Sequence, residues 1–561
     1  MTQQASMPFS PPATHRSPIN WLAIACYAGC AAIVLLLFYE NFLFSEKLGR
    51  LASRTVDDLA FQLALRDAHT SIASGQFSKL WILNYYAYGW LYWAPLAWIT
   101  YPLYLISSYF GIDWPLIVVP RQVSLLFALG GAYFLRKIVK RFTQNEAICA
   151  TAALIYLLFP AIAFFSMRFG TVTEISFLSI LSAYLLLRDK ASSFRALAPA
   201  VIVLAAAGAV KLSGLLIAPF LFLIIVRRLI GKPVWHMLGT LFALGSLFVA
   251  TLILLTNPAL LAAPFHPQIL HDYLGVLKHH MQVTQVSGLN ISPWRRFYEA
   301  TFHSWLNATA MFLLRLGLVV HTRHSVSRRF ECLAALITLA VVMAYLIFGI
   351  KSEVSAGSYF TAVSFLIAIG VIGWQRSAGG AAVLFLIVAL LVSDVALRVQ
   401  RQTAMTAMAE FPWNHATYLV QSLRSKPINK RADFIENCIA ADAGSQPISQ
   451  IFYDYEVAPP FNALSMPNTC FSVAWGDLSP AGTYCDRSNP IQYILLSLTA
   501  PGFMDEAAFN KRIAGLEPSV VQRMQQDRST RTTLAEQGLF GDQKFVRLCS
   551  GADVAIFKAK P

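Results

Sequence analysis

The stretch TVDDLAFQLALRDAH, residues 55–69, sets two adjacent carboxylates, Asp57 and Asp58, a short way beyond the apolar run WLAIACYAGCAAIVLLLFYE, residues 21–40. Crossing a hydrocarbon core of about 30 Å takes roughly 20 apolar residues, so that run is long enough to span a bilayer, and the acid pair stands just past it. The rest of the chain is of the same kind. Over 561 residues it is 56% hydrophobic and 13% charged, with a mean hydropathy of +0.54, more apolar surface than a water-soluble core of this size absorbs. Composition therefore sets the class: a polytopic α-helical membrane protein. A net charge of +15 raises nucleic acid as a partner, but the Lys and Arg lie in short clusters between apolar runs, where orientation in a bilayer accounts for them. Nucleic-acid binding is not expected.

Eleven candidate spans follow from the apolar runs, near residues 19–40, 120–137, 147–167, 172–187, 196–210, 212–226, 234–255, 303–320, 331–350, 359–374 and 379–397. Cytoplasmic loops retain Lys and Arg preferentially. With the N-terminus inside, the inner segments (Arg16, LRKIVKR, RDKASSFR, RRLIGK, HTRHSVSRR and WQR) collect fifteen basic residues, against one each in the short outer connections, at Arg168, Lys211 and Lys351. The expected protein is a multi-pass inner-membrane chain, N-terminus cytoplasmic and C-terminus outside. Residues 1–397 form its membrane domain, with a first outer loop at about 41–119 and a later one at about 256–303. Residues 398–561 form an extracytoplasmic domain. Residues 19–40 are read as a retained anchor, since no basic region stands close before them.

The first outer loop carries NYYAYGWLYWAPLAWITYPLYLISSYF, residues 84–110, with ten Tyr or Trp in 27 positions. Such rings favour a membrane–water interface, so the stretch is expected along or within the outer leaflet; an ordinary twelfth span is the other reading. Four cysteines, Cys438, Cys470, Cys485 and Cys549, lie in the outer segment, where an even set predicts two disulfides of open connectivity. That segment alternates strand-like runs such as QYILLSL and DVAIFK with helical ones such as FMDEAAFNKRIAGL, which reads as a small α/β domain.

Ionised groups at membrane depth are costly enough to be functional candidates, and Arg168, Glu174 and Lys211 all fall at expected outer ends of spans. The bland reading of each is a side chain that snorkels to the interface. Lys211 stands apart because AAAGAVKLSGLLIAPFL, residues 205–221, surrounds it with apolar and small residues between two short spans.

Taken together these features resemble the GT-C glycosyltransferases, in particular the bacterial protein O-mannosyltransferase and lipid A aminoarabinose transferase type. VDDLAFQLA stands where that family has an Asp-Glu motif in its first outer loop, and YGWLYWAPL is similar to the aromatic, Pro-containing stretch that follows. RQVSLLFALGGAYFLRKIVKR resembles the Arg-led second helix, and TNPALLAAPFHPQIL the Asn-Pro opening of the later loop. The likeness runs over roughly residues 19–375. Asp58 replaces the usual Glu, Glu174 stands near where relatives often have Asp, and KSEVSAGSYF lacks the Arg that commonly precedes the Tyr.

The resemblance implies inverting transfer of a hexosyl or pentosyl unit from a polyprenyl-phosphate donor to an envelope glycan, lipid or protein acceptor outside the membrane. Asp57 aligns with the first acid of the motif and is the candidate base, Asp58 its neighbour in the catalytic pair. Lys211, Arg121, Arg168, Glu174, Arg295 and Tyr88 are the candidate substrate-binding residues. The chemistry needs these types. An acceptor hydroxyl attacking an anomeric carbon must lose its proton to a base, whereas a phosphate leaving group needs no acid but does need a cation as its charge grows. Helix capping by the acid pair is the alternative, since Asp is favoured at N-caps and in first turns. His266, His271, His279 and His280, with Asp272, lack the spacing of a metal set; a divalent cation is the one cofactor to consider, and none is required. Two other functions fit a chain of this class: a flippase for lipid-linked sugar, which should show internal repeats, and a non-catalytic scaffold with an outer binding domain.

Overall fold

The computed structural model describes every residue except 1–19, 48–55, 78–79, 81–88, 111–113, 167–168, 190, 272, 276–303, 325–328, 349–352, 376, 378, 403–426, 445, 455–456, 458–468, 475–477, 479–489, 499–500, 515–517, 552–553 and 561. In chain order the membrane part holds α1 (Trp21–Lys47), α2 (Val56–Ala73), α3 (Trp90–Phe110), α4 (Trp114–Val139), α5 (Glu146–Leu158), α6 (Pro160–Ser166), α7 (Val172–Arg188) and α8 (Phe194–Val210). A 3-10 turn (Leu212–Ile217) leads into α9 (Ala218–Leu229) and then α10 (Val234–Thr256), α11 (Trp305–His324), α12 (Arg329–Phe348), α13 (Glu353–Ala368), α14 (Val371–Trp374) and α15 (Gly380–Gln402). Six stretches of helix among the described residues are long and apolar enough to cross a membrane. The chain is a polytopic α-helical membrane protein with a terminal sheet domain.

Two expected spans are each divided. The run at 147–167 breaks between α5 and α6 because Pro160 has no N–H to continue the ladder, and the last N–H before it, on Phe159, bonds back to Ile155 and Tyr156. The run at 359–374 breaks at Ile369 and Gly370, where α13 gives way to α14.

Small residues let the helices close up. Ala128, Ala132, Cys149, Ala150, Ala152, Ala153, Ala183, Ala198 and Ala200 are all buried in one core shared by α4, α5, α7 and α8. The opposite exposure marks α10, where Trp235, Phe242 and Leu254 stand open in a 23-residue apolar helix, as a lipid-facing side chain must. At the end of the bundle that holds the C-terminus of α4, Arg136 Nε donates to Glu146 Oε1 at 2.7 Å and Lys140 reaches Oε2 at 3.4 Å. There Arg141 also caps α7, donating to the carbonyl of Arg188 at 2.6 Å, as a cation suits a helix C-terminus.

After α16 (Pro427–Ala443) the chain forms β1 (Gln450–Asp454), β2 (Cys470–Ala474), β3 (Tyr493–Ser497), α17 (Glu506–Ile513), α18 (Pro518–Gln537), β4 (Leu539–Phe540), β5 (Gln543–Ser550) and β6 (Val554–Ala559). The sheet order is β2-β1-β3-β6-β5-β4, the first three strands parallel and the others joined antiparallel. Strand alternation separates two cores: Ile451, Tyr453 and Leu495 face Ile435 and Ile439 of α16, while Phe452, Ile494 and Leu496 face Leu534 of α18. This is the expected α/β domain. Cys438 and Cys549 are bonded to each other; Cys470 is also disulfide-bonded, and Cys485 lies outside the described residues.

Candidate functional site

Helix α8 stops at Val210 although the sequence stays apolar. Lys211 takes an extended backbone (φ −162°, ψ 137°), its N–H reaching the carbonyl of Ala207 at 3.3 Å and its own carbonyl accepting from Gly214 N–H at 2.8 Å. Gly214 makes the turn feasible, since a Cβ there would lie 2.3 Å from the Ala207 oxygen. The break leaves the half-buried Lys211 at a helix C-terminus, where aligned peptide dipoles favour a cation.

The start of α3 docks beside it. Gly89 N–H donates to Ala209 O at 2.9 Å, and Trp90 Nε1–H to Leu254 O at 2.6 Å. Both acceptors lie in last turns, where carbonyls lack intrahelical partners. For Leu254 the cause is explicit: the residue four further on is Pro258, which has no N–H. Asn257 ends α10, its N–H reaching Ile253 O at 3.0 Å, and its side chain caps the 3-10 turn that follows (Pro258–Ala262) by accepting from Ala259 N–H at 3.0 Å.

From that anchor α3 packs against α2. Ala64, Leu65, Ala68 and Ile72 of α2 meet Tyr92, Trp93, Leu96 and Ala97 of α3 at helical spacing, and the same cluster takes in Phe169, Ile175 of α7, Val210 of α8 and Ala362 of α13. A polar bond crosses the hairpin, between His69 Nε2 and Thr100 Oγ1 at 2.8 Å. Thr100 donates its own hydrogen to Leu96 O at 2.7 Å, so its oxygen accepts and His69 carries the proton on Nε2. The far face of α3 is apolar and open, with Trp98, Ile99, Leu105, Ile106, Tyr109 and Phe110 exposed and Phe77 stacked on Trp98 at 5.7 Å. A lipid surface suits such a face.

Of the residues singled out from sequence, Glu174 and Lys211 adjoin members of this cluster in the chain and Arg121 stands two residues from one. Asp57 and Asp58 are the second and third residues of α2, in its first turn rather than at its N-cap; their side chains lie outside the described residues. Glu174, beside Ile175 in the first turn of α7, is buried, and its Oε2 has no hydrogen-bond partner among the described residues. Lys211 adjoins Val210. Arg121 is fully buried on α4, two residues before Val123, which packs against the cluster. Tyr88, Arg168 and Arg295 lie outside the described residues. Asp67 is exposed, as a solvated helix charge would be.

The structure adds residues that sequence reasoning passed over. Thr173 and Ser213 are buried with hydroxyl oxygens that find no partner among the described residues, and they neighbour Glu174 and Lys211 in sequence. Asp394, buried in α15, accepts from the Ser304 hydroxyl at the start of α11. An acid inside the run 379–397 was a readable signal, because a charge at that depth needs a partner. Hydroxyl residues in apolar helices carry no comparable signal. Among the described residues no group of three or more His, Cys, Asp or Glu is placed to hold a metal; His279, His280 and Asp272 lie outside them.

A membrane helix broken before a lysine, a hairpin packed over that end and a terminal α/β domain make up the fold, which is a GT-C fold by its likeness to solved structures. The chain is similar over nearly its whole length to ArnT from Cupriavidus metallidurans bound to undecaprenyl phosphate, with a TM-score of 0.54 at 14% identity, covering 95% of this chain and 98% of that one. The apo state of the same protein aligns with a TM-score of 0.52 at 14% identity, over 96% and 98% of the two chains. No family model and no curated sequence matches the chain.

Proposed function

We propose that the chain is a membrane glycosyltransferase that moves a sugar from a polyprenyl-phosphate donor to an envelope glycan, lipid or protein acceptor at the outer face of the inner membrane. One observation carries the reading: the hairpin bearing Asp57 and Asp58 packs on the end of α8 that presents Lys211, in a fold shared with a protein solved with undecaprenyl phosphate. In this reading Asp57 takes the acceptor proton and Asp58 orients the acceptor or keeps Asp57 ionised. Lys211, with Arg121, Arg168 and Arg295, neutralises the departing phosphate, and Glu174 and Tyr88 hold the sugar or acceptor. No metal is assigned. The N-terminus is cytoplasmic, and residues 398–561 form the extracytoplasmic domain.

Asp57→Asn keeps size and hydrogen-bonding capacity but accepts no proton, so transfer should fall about 10² to 10⁴-fold while donor lipid still binds. A fully active variant sinks the assignment of the base. Mass spectrometry of envelope glycans and lipids from a deletion strain should show one missing sugar. Orientation is tested separately with single cysteines, one at Ser193 shielded from an impermeant thiol reagent in intact cells and one at Ser287 reactive.

A further inference from the structure

The bonds at the start of α3 join two bodies. One is the α2–α3 hairpin, which carries the acid pair; the other is formed by the C-terminal ends of α8 and α10, the first of which carries Lys211. Leu96, Thr100 and His69 fix α3 to α2, so whatever sets the height of α3 against α8 also sets that of the acid-bearing helix. Gly89 and Trp90 set it. A Cβ on residue 89 would lie 2.5 Å from Ala209 O and 2.7 Å from Leu255 O, so the backbone sits directly on both helix ends. Ala209, which accepts the Gly89 bond, is two residues before Lys211, and Trp90 takes the Leu254 carbonyl that Pro258 leaves open. The two contacts fix a position that one alone would leave free to pivot.

We infer that Gly89 and Trp90 are positioning residues that hold Lys211 in register with the acid-bearing hairpin, so that the cation meets the phosphate of a polyprenyl-phosphate donor. This rests on the proposed transferase reading. In this reading each acts through the helix end it grips.

Trp90→Phe is the informative change, because it keeps an aromatic ring at the position while removing the indole N–H along with part of the indole. Gly89→Ala puts a carbon against backbone and is expected to cost folding. Binding of undecaprenyl phosphate to the purified full-length protein in detergent should weaken about 3- to 10-fold in Trp90→Phe, with an unchanged melting temperature. In a Lys211→Ala background the same change should have no further effect, since the residue it positions is gone. Wild-type affinity in Trp90→Phe, or an equal loss in both backgrounds, overturns the inference. If the wild type binds the lipid no better than Lys211→Ala, the transferase reading fails first and takes this one with it. A lipid-free check uses a cysteine at position 211: its labelling rate by a water-soluble maleimide should change several-fold when Trp90→Phe is added, and an equal rate counts against the latch.

Discussion

His69 gives the acid-bearing hairpin a pH dependence whose size follows from its surroundings. The ring is 1% exposed, donates from Nε2 to Thr100 and lies 4.8 Å from the ring of Tyr104. A second proton would put a buried charge on Nδ1, and burial accordingly pushes the imidazole down from 6.5 to about 4. Between those values the unfolded segment binds a proton that the packed hairpin refuses. Stability is therefore full above about pH 6.5 and is lost as pH falls toward 4, by about 3 kcal/mol in all at 1.36 kcal/mol per decade. Hydrogen exchange of peptides from α2, corrected for the intrinsic rate, should show protection falling by about 1.4 kcal/mol per pH step between pH 6 and 4.5. His69→Gln still donates to Thr100 but does not titrate, so its curve should be flatter by that slope, which separates His69 from the carboxylates that titrate nearby. An unchanged slope in the Gln variant refutes the argument.

Three further expectations concern packing and the C-terminal domain. Cys438 and Cys549 are 111 residues apart, and opening so long a loop in the unfolded chain should cost about 4 to 5 kcal/mol, seen as a drop in the C-terminal domain's melting temperature in Cys438→Ser. Arg531 joins Asp454 and Asp527 in a buried triad, so Arg531→Met, which leaves two buried acids without their cation, should destabilise that domain by about 3 to 5 kcal/mol in the same assay. Gly317 of α11 lies where a Cβ would be 2.1 Å from Gly370 O, so Gly317→Ala should push α11 from α14 and cost about 1 to 3 kcal/mol, measured as faster heat inactivation in detergent.

The membrane class, the helical character of the apolar runs and the α/β character of the C-terminal domain were legible in the sequence, because each rests on local composition. An apolar run must satisfy its backbone within itself in lipid, which leaves helix as the answer for every run whatever surrounds it. The Lys211 break was legible for the same reason: a charge and two small residues in an apolar field leave few ways to continue.

What the sequence left open is what depends on distance through space. Residues 84–110 read as an aromatic stretch for an interface, but which of its faces turns inward is decided by α2, which takes Tyr92, Trp93, Leu96 and Ala97 and leaves Trp98, Ile99 and Leu105 open. Four cysteines allowed several pairings until the sheet brought β5 against α16. Nothing local marks Gly89, and its role appears only where two helix ends converge on it with carbonyls to spare. Local chemistry fixes what each segment becomes. Which unsatisfied groups meet is settled by packing, since a carbonyl at a helix end has no partner in its own segment and takes the nearest donor the fold supplies.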